Sequence, residues 1–137
     1  MKTIRLFLAA IALVSLIGCS SSDDDGGIQV SNDLYGEWTM QFIDDGNGVK
    51  DPLCSERLYY KFNSDNTYQR KDSSINPQDE CVDANTINGN WEAISEESIE
   101  LTPLSSDSNE EIIEFEFVGS NLKIIRNSGT EEIYQRP

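Results

Sequence analysis

The stretch EIIEFEFVGSNLKIIRNSGTEEIYQ, residues 111–135, holds three short runs of alternating polarity: Glu111 to Val118, Leu122 to Arg126 and Thr130 to Gln135. Gly119-Ser120-Asn121 and Asn127-Ser128-Gly129 separate them. Links of about three residues are of hairpin length, so the three runs read as antiparallel neighbours. Phe115 lies on the opposite face to Glu114 and Glu116, the polarity split expected of a sheet with one face buried and one in water.

The same pattern continues upstream. Ser98 to Leu101 and Ile87 to Ile94 flank a turn at Glu96-Glu97, and Ser105 to Asn109 forms the next break, with Pro103 at a strand end because it cannot donate to a ladder. Arg57 to Asn63 places Leu58, Tyr60 and Phe62 inward, and Ser64-Asp65-Asn66 turns into Thr67 to Lys71, with Asn66 suited to the left-handed position. Glu37 to Ile43 puts Trp38, Met40 and Phe42 on one face and Thr39 and Gln41 on the other. Asp44-Asp45-Gly46-Asn47-Gly48 ends that strand as a loop, and Asp72 to Ala84, polar and containing Pro77, reads as the longest loop. No segment has sustained helical periodicity. Eight antiparallel strands in nearest-neighbour order imply an all-β fold. An eight-stranded up-and-down barrel is the first reading, and a two-sheet β-sandwich is the alternative that a strand count leaves open.

Composition removes several kinds of chemistry. The chain has 25 acidic residues against 10 basic ones and no histidine. Such an acidic balance opposes binding to phosphate backbones, so nucleic acid is not an expected partner. Without histidine there is no Ser-His-Asp or Cys-His set and no imidazole ligand for zinc. The Asp44–Gly48 loop departs from EF-hand spacing, and phosphate-cradling glycine motifs are absent. Glu111, Glu114 and Glu116 lie close in sequence, but a solvated outer face accounts for the last two better than a glycosidase-type pair does. The expectation is a non-enzymatic domain with no catalytic residues, no cofactor and no metal.

Lys2 and Arg5 precede an apolar run of 12 residues, Leu6 to Ile17. A membrane-spanning helix needs about 20 apolar residues, so this run reads as a secretory signal. Leu16-Ile17-Gly18-Cys19 resembles the bacterial lipobox. That resemblance implies removal of residues 1–18 and acylation of Cys19 by a diacylglyceryl group and palmitate-type chains, several of which hold a protein to a membrane nearly permanently. Loss of Lys2 and Arg5 takes the formal charge from −15 to −17. Residues 19–33 then form a tether, and Ser20 to Gly27, with no apolar residue, has nothing to bury. Ser22-Asp23-Asp24-Asp25 resembles the acidic export signal of surface lipoproteins of Bacteroidota, and it serves equally as a plain spacer. The implied location is the cell envelope, lipid-anchored at the outer membrane, facing either the periplasm or the surface.

With Cys19 assigned to lipid, Cys54 and Cys81 are an even pair in an oxidising compartment, and a disulfide is the default over two free thiols or a metal pair. It would close a loop of about 28 residues and contribute about 3.5 kcal/mol in the chain-entropy picture.

Leu34-Tyr35-Gly36-Glu37-Trp38 resembles the Gly-x-Trp start of lipocalin-like barrels. Tyr60-Lys61-Phe62-Asn63-Ser64-Asp65-Asn66-Thr67-Tyr68 is similar to the aromatic hairpin of the small bacterial lipocalin-like lipoproteins, and Gly89-Asn90-Trp91 with Ser98-Ile99-Glu100-Leu101 to their mid-barrel unit. The resemblance runs from about Leu34 to Arg136, implies a barrel domain over residues 34–137, and also places a cysteine pair where Cys54 and Cys81 stand. It implies that Trp38 plugs the barrel floor beside Gly36, covered by an arginine from the last strand, Arg136 by position or else Arg126. It further implies a small apolar or amphipathic ligand in or near the barrel mouth, with Tyr60, Tyr68, Trp91, Phe115 and Phe117 as the residues that would line it. If those aromatics instead fill the barrel, the expectation becomes a module that contacts another envelope protein.

Overall fold

A computed structural model describes residues 28–106 and 108–137. The signal segment, Cys19 and the tether as far as Gly27 lie outside the described residues.

A short 3-10 turn, Asn32–Leu34, leads into nine strands: β1 Gly36–Asp44, β2 Val49–Lys50, β3 Leu58–Phe62, β4 Thr67–Ile75, β5 Cys81–Ser95, β6 Ser98–Pro103, β7 Glu111–Val118, β8 Asn121–Ile125 and β9 Glu131–Gln135. A second 3-10 turn, Cys54–Glu56, precedes β3. From β3 onward each strand pairs antiparallel with the next. β1 pairs with β3 on one side and β9 on the other, which closes the sheet into a barrel of eight strands. The two-residue β2 is an addition to the end of β1. The β1–β9 ladder excludes the sandwich, because a sandwich leaves its first and last strands as edges of separate sheets.

The hairpins follow local chemistry. Gly119 and Gly129 take positive φ in the two tight turns that join β7, β8 and β9, and Asn66 takes φ +63° between β3 and β4. Asn66 lies in the left-handed region that its short amide side chain tolerates, and Asp65 accepts from the Thr67 N–H to fix the bend.

Alternate residues fill the interior, among them Trp38, Met40, Tyr60, Phe62, Tyr68, Trp91, Ile99, Leu101, Ile113, Phe115, Leu122, Ile124 and Tyr134. Packing begins before the Leu34 boundary read from sequence, since Val30 is already buried against this core.

Two expectations need correcting. Phe42 does not continue the inward face of Trp38 and Met40. A bulge between Met40 and Phe42 reverses the alternation, so Phe42 is 38% exposed while Ile43 is 7% exposed. The polar segment 72–84 is no loop either. β4 continues to Ile75 and β5 starts at Cys81, leaving only residues 76–80 as the connection. The Asn76 side chain accepts from the backbone N–H groups of Gln78 and Glu80 and holds that turn. The hairpin projects past the barrel with most of its residues exposed, so it shows no apolar alternation. Its base is tied down by the Cys54–Cys81 disulfide, with a Cα–Cα separation of 5.6 Å.

Candidate functional site

Strand direction gives the barrel two unlike ends. Residues 34–38, 117–120 and 136 gather at one, where β1 begins, β9 ends and β7 turns into β8. Here Trp38 is buried and its Nε1–H donates to the Leu34 carbonyl at 2.8 Å. The Arg136 guanidinium lies 4.3 Å from the Trp38 ring centre and donates to the carbonyls of Tyr35 (2.9 Å) and Asp33 (2.6 Å). Gly36, at φ +119°, is the point where the chain passes beneath that guanidinium. A Cβ there would lie 2.4 Å from Arg136 Nη1. Phe117 packs against Trp38, with ring centres 6.1 Å apart. The structure therefore brings Gly36, Trp38 and Arg136 together, and Arg126 is elsewhere.

Above this floor the barrel is occupied by its own side chains. Tyr60 stacks on Phe62 at 5.5 Å and meets Tyr134 edge-on at 5.7 Å. Phe115 meets Phe117 edge-on, and Trp91 donates from Nε1 to the Asn63 carbonyl. Tyr68 closes over Gly89, where a Cβ would come within 2.4 Å of its ring. Tyr60, Tyr68, Trp91 and Phe115 thus belong to the packed core, and Phe117 to the floor. None of the five lines the hollow at the opposite end. The physical reason is size: an eight-stranded barrel leaves an interior that large side chains from facing strands can fill.

The opposite end is an open cup of about 500 Å³, walled by the β4–β5 hairpin and the turn at Cys54–Glu56. Its floor is ionic. Arg126 donates to Glu111, to Glu132 (2.6 Å) and to the Tyr60 hydroxyl (3.1 Å). Tyr134 donates its hydroxyl to the same Glu132 carboxylate at 2.8 Å. Arg70 reaches Glu111 at 3.4 Å and Asp72 at 3.1 Å. Two guanidinium groups and three carboxylates thus share one network carrying a net charge of about −1 if all are ionised. Ser74 and Asn85 add a hydroxyl and an amide to the wall.

Burial works against the charge of Arg126, but the oxygens of Tyr60, Glu132 and Tyr134 outweigh it and leave its pKa raised, so it remains a cation. Burial likewise pushes the Tyr60 and Tyr134 phenols above their ordinary value, Tyr134 well above it, keeping both as neutral hydroxyls. The arrangement presents fixed hydrogen-bond donors and acceptors beneath the cup.

Glu111 is separated from its sequence neighbours by the barrel wall. Glu114 and Glu116 are exposed on the outside, whereas Glu111 shares the inward face of Ile113 and Phe115. The members of this network were not anticipated as a site. A signal was present: Arg70 has the parity of Tyr68, Glu132 that of Tyr134, and Arg126 that of Leu122 and Ile124. In the Asp44–Gly48 loop, Asp44 accepts from the N–H groups of Gly46 and Gly48. Its neighbour Asp45 is lowered to about 2 by hydrogen bonds from Lys50 and Asn47.

The profile of the lipocalin-like domain family matches residues 34–124 of this chain. No curated protein gives a significant match. Among solved structures, a lipocalin-like protein from Bacteroides uniformis ATCC 8492 superposes with a TM-score of 0.56 at 15% identity, covering 77% of this chain and 99% of its own. An uncharacterized protein from Bacteroides eggerthii DSM 20697 superposes with a TM-score of 0.53 at 12% identity, covering 76% and 99%. At these identities the two structures speak to the fold alone, and they agree with the closed antiparallel barrel. With most of the barrel matched by the family profile, this chain belongs to the lipocalin-like domain family.

Proposed function

We propose that this chain is a lipid-anchored, non-enzymatic binding domain of the cell envelope that holds a small amphipathic molecule, polar group first, at the open end of its barrel. The basic, apolar and lipobox segments up to Cys19 support the anchor and the outer-membrane location, and the acidic run after Cys19 supports a surface-facing orientation. One observation carries the binding role: the open end keeps a five-residue ionic network beneath a cup of about 500 Å³, although the rest of the interior is packed. Burying charges costs several kcal/mol per ion, and apolar residues of similar volume are often at least as stabilising. A network of buried and half-buried charges retained beneath an open hollow fits recognition better than it fits stability. The packed aromatics move the ligand out of the barrel's depth and up to its mouth.

A second reading, contact with another envelope protein, is favoured by the exposed apolar side chains of Leu53, Ile75 and Leu104 at the same end. Native mass spectrometry of the full chain taken from its own membrane separates the two. The ligand reading expects a small co-purifying amphiphile that is lost in Arg70→Gln. A stoichiometric protein partner with no small adduct would replace it with the second reading.

A further inference from the structure

The wall of the barrel is split beside the cup, and Leu58 and Ser73 stand on the border between the two hollows. The β1–β3 ladder stops at Thr39↔Tyr59, and β1 regains a partner on that side only at Ile43↔Lys50. Met40, Gln41 and Phe42 therefore have no strand partner there, and their main-chain groups on that side are left out of the sheet. The split opens into a cleft of about 520 Å³ on the outside of the barrel. Thr39, Gln41 and Tyr59 form one wall. Asp51, the buried Pro52 and Arg57 form the other, on the segment that the Cys54–Cys81 disulfide fixes in place.

The charges in this cleft are unusual for the molecule. Lys50, Lys61, Arg70, Lys71, Lys123 and Arg126 all pair with carboxylates, and Arg136 is held by backbone carbonyls. Arg57 alone, among the cationic side chains of the described residues, has neither an ion pair nor a side-chain hydrogen bond. Asp51, on the same cleft, also has none among the described residues, and the two do not pair with each other. Lys71 and Asp83, which also line the cleft, are engaged together at 3.3 Å, and Lys71 lies over the Tyr59 ring. One free cation, one free anion and a strip of unladdered backbone thus face a single hollow.

We infer that this cleft is a binding site, separate from the cup, for a small zwitterion of the dipeptide class. The carboxylate of the ligand meets Arg57, its ammonium meets Asp51, and its peptide group pairs with the open side of β1 at residues 40–42. A fork-shaped guanidinium suits a carboxylate, and strand-like pairing suits an amide. The inference rests on none of the cup residues.

L-Alanyl-L-alanine titrated into the detergent-solubilised full chain, followed by ligand-observed NMR and calorimetry, tests it. Binding is expected, with Arg57→Gln and Asp51→Asn each weakening it about tenfold or more, the scale of one charge-assisted hydrogen bond. N-acetylation or C-amidation of the dipeptide is expected to act likewise, and Arg70→Gln in the cup is expected to change nothing. Both cleft residues are exposed, so melting temperatures should match the parent and a lost signal would report binding. No binding of the dipeptide, or equal binding by parent and Arg57→Gln, would overturn the inference.

Discussion

Each end of this barrel sets one arginine against an aromatic ring, and the two ends satisfy that arginine in opposite ways. Arg136 covers Trp38 at 4.3 Å and donates to two main-chain carbonyls, neutral acceptors whose positions the backbone fixes. Arg126 stands 5.9 Å from the Tyr60 ring and donates to two carboxylates and a phenol. The first arrangement closes an apolar floor with little exposed to titration or salt. The second holds charges of both signs in a half-buried place, where their mutual attraction must offset lost hydration. One end is therefore built for stability and the other keeps polar capacity, and that division can be broken experimentally.

The largest expected effect is at the closed end. Trp38→Ala removes a fully buried indole and should cost about 3 to 5 kcal/mol in denaturant unfolding. An unchanged midpoint would mean that the floor is not a packed plug. At the open end, Arg126→Gln strands Glu132, which is 6% exposed, and should cost about 3 kcal/mol. Pairing it with Glu132→Gln should recover a large share of that loss, because the stranded charge is then removed. If the double variant is no better than the single one, the cost lies in packing and the contrast between the ends fails.

Arg136→Gln sharpens the comparison. Its partners are carbonyls at an exposed site, so its loss should cost only about 1 kcal/mol. The smallest effect is at alkaline pH. Burial and a hydrogen bond with Glu37 push the Tyr59 phenol up to about 12, and Tyr60, Tyr68 and Tyr134 are raised too, chiefly by burial. Each raised phenol favours the fold up to the ordinary tyrosine value of about 10 and loses that contribution as the pH climbs through the folded-state value. Melting temperature should fall across that window, and Tyr59→Phe should make the decline shallower. An identical slope would exclude Tyr59 as a contributor.

Much of the barrel was legible in sequence because strand alternation is local. Tyr60 and Phe62, or Phe115 and Phe117, announce their face by spacing, and Gly119 and Gly129 announce the hairpins. Phe42 misled because a bulge reverses parity without a distinctive residue to mark it. Residues 72–84 misled because a hairpin projecting into water needs no apolar face; backbone pairing carries it. The cup was hidden for a different reason. Glu111 and Arg126 have inward parity, but a charge placed inside is believable only once its partners are known. Arg70 on β4 meets Glu111 on β7 across the closed barrel, 41 residues away in sequence, and Arg126 joins them from the turn after β8.

The most direct test of a plugged lower barrel beneath the proposed binding site at its mouth is a crystal structure of the full chain purified from its native cells, with unassigned density inspected throughout the barrel. The account predicts density in the cup, its polar group against Arg70, Glu111 or Asn85, with Tyr60, Phe62 and Tyr134 packed as described. A ligand lying deep between those rings, with the aromatics displaced to admit it, would contradict it.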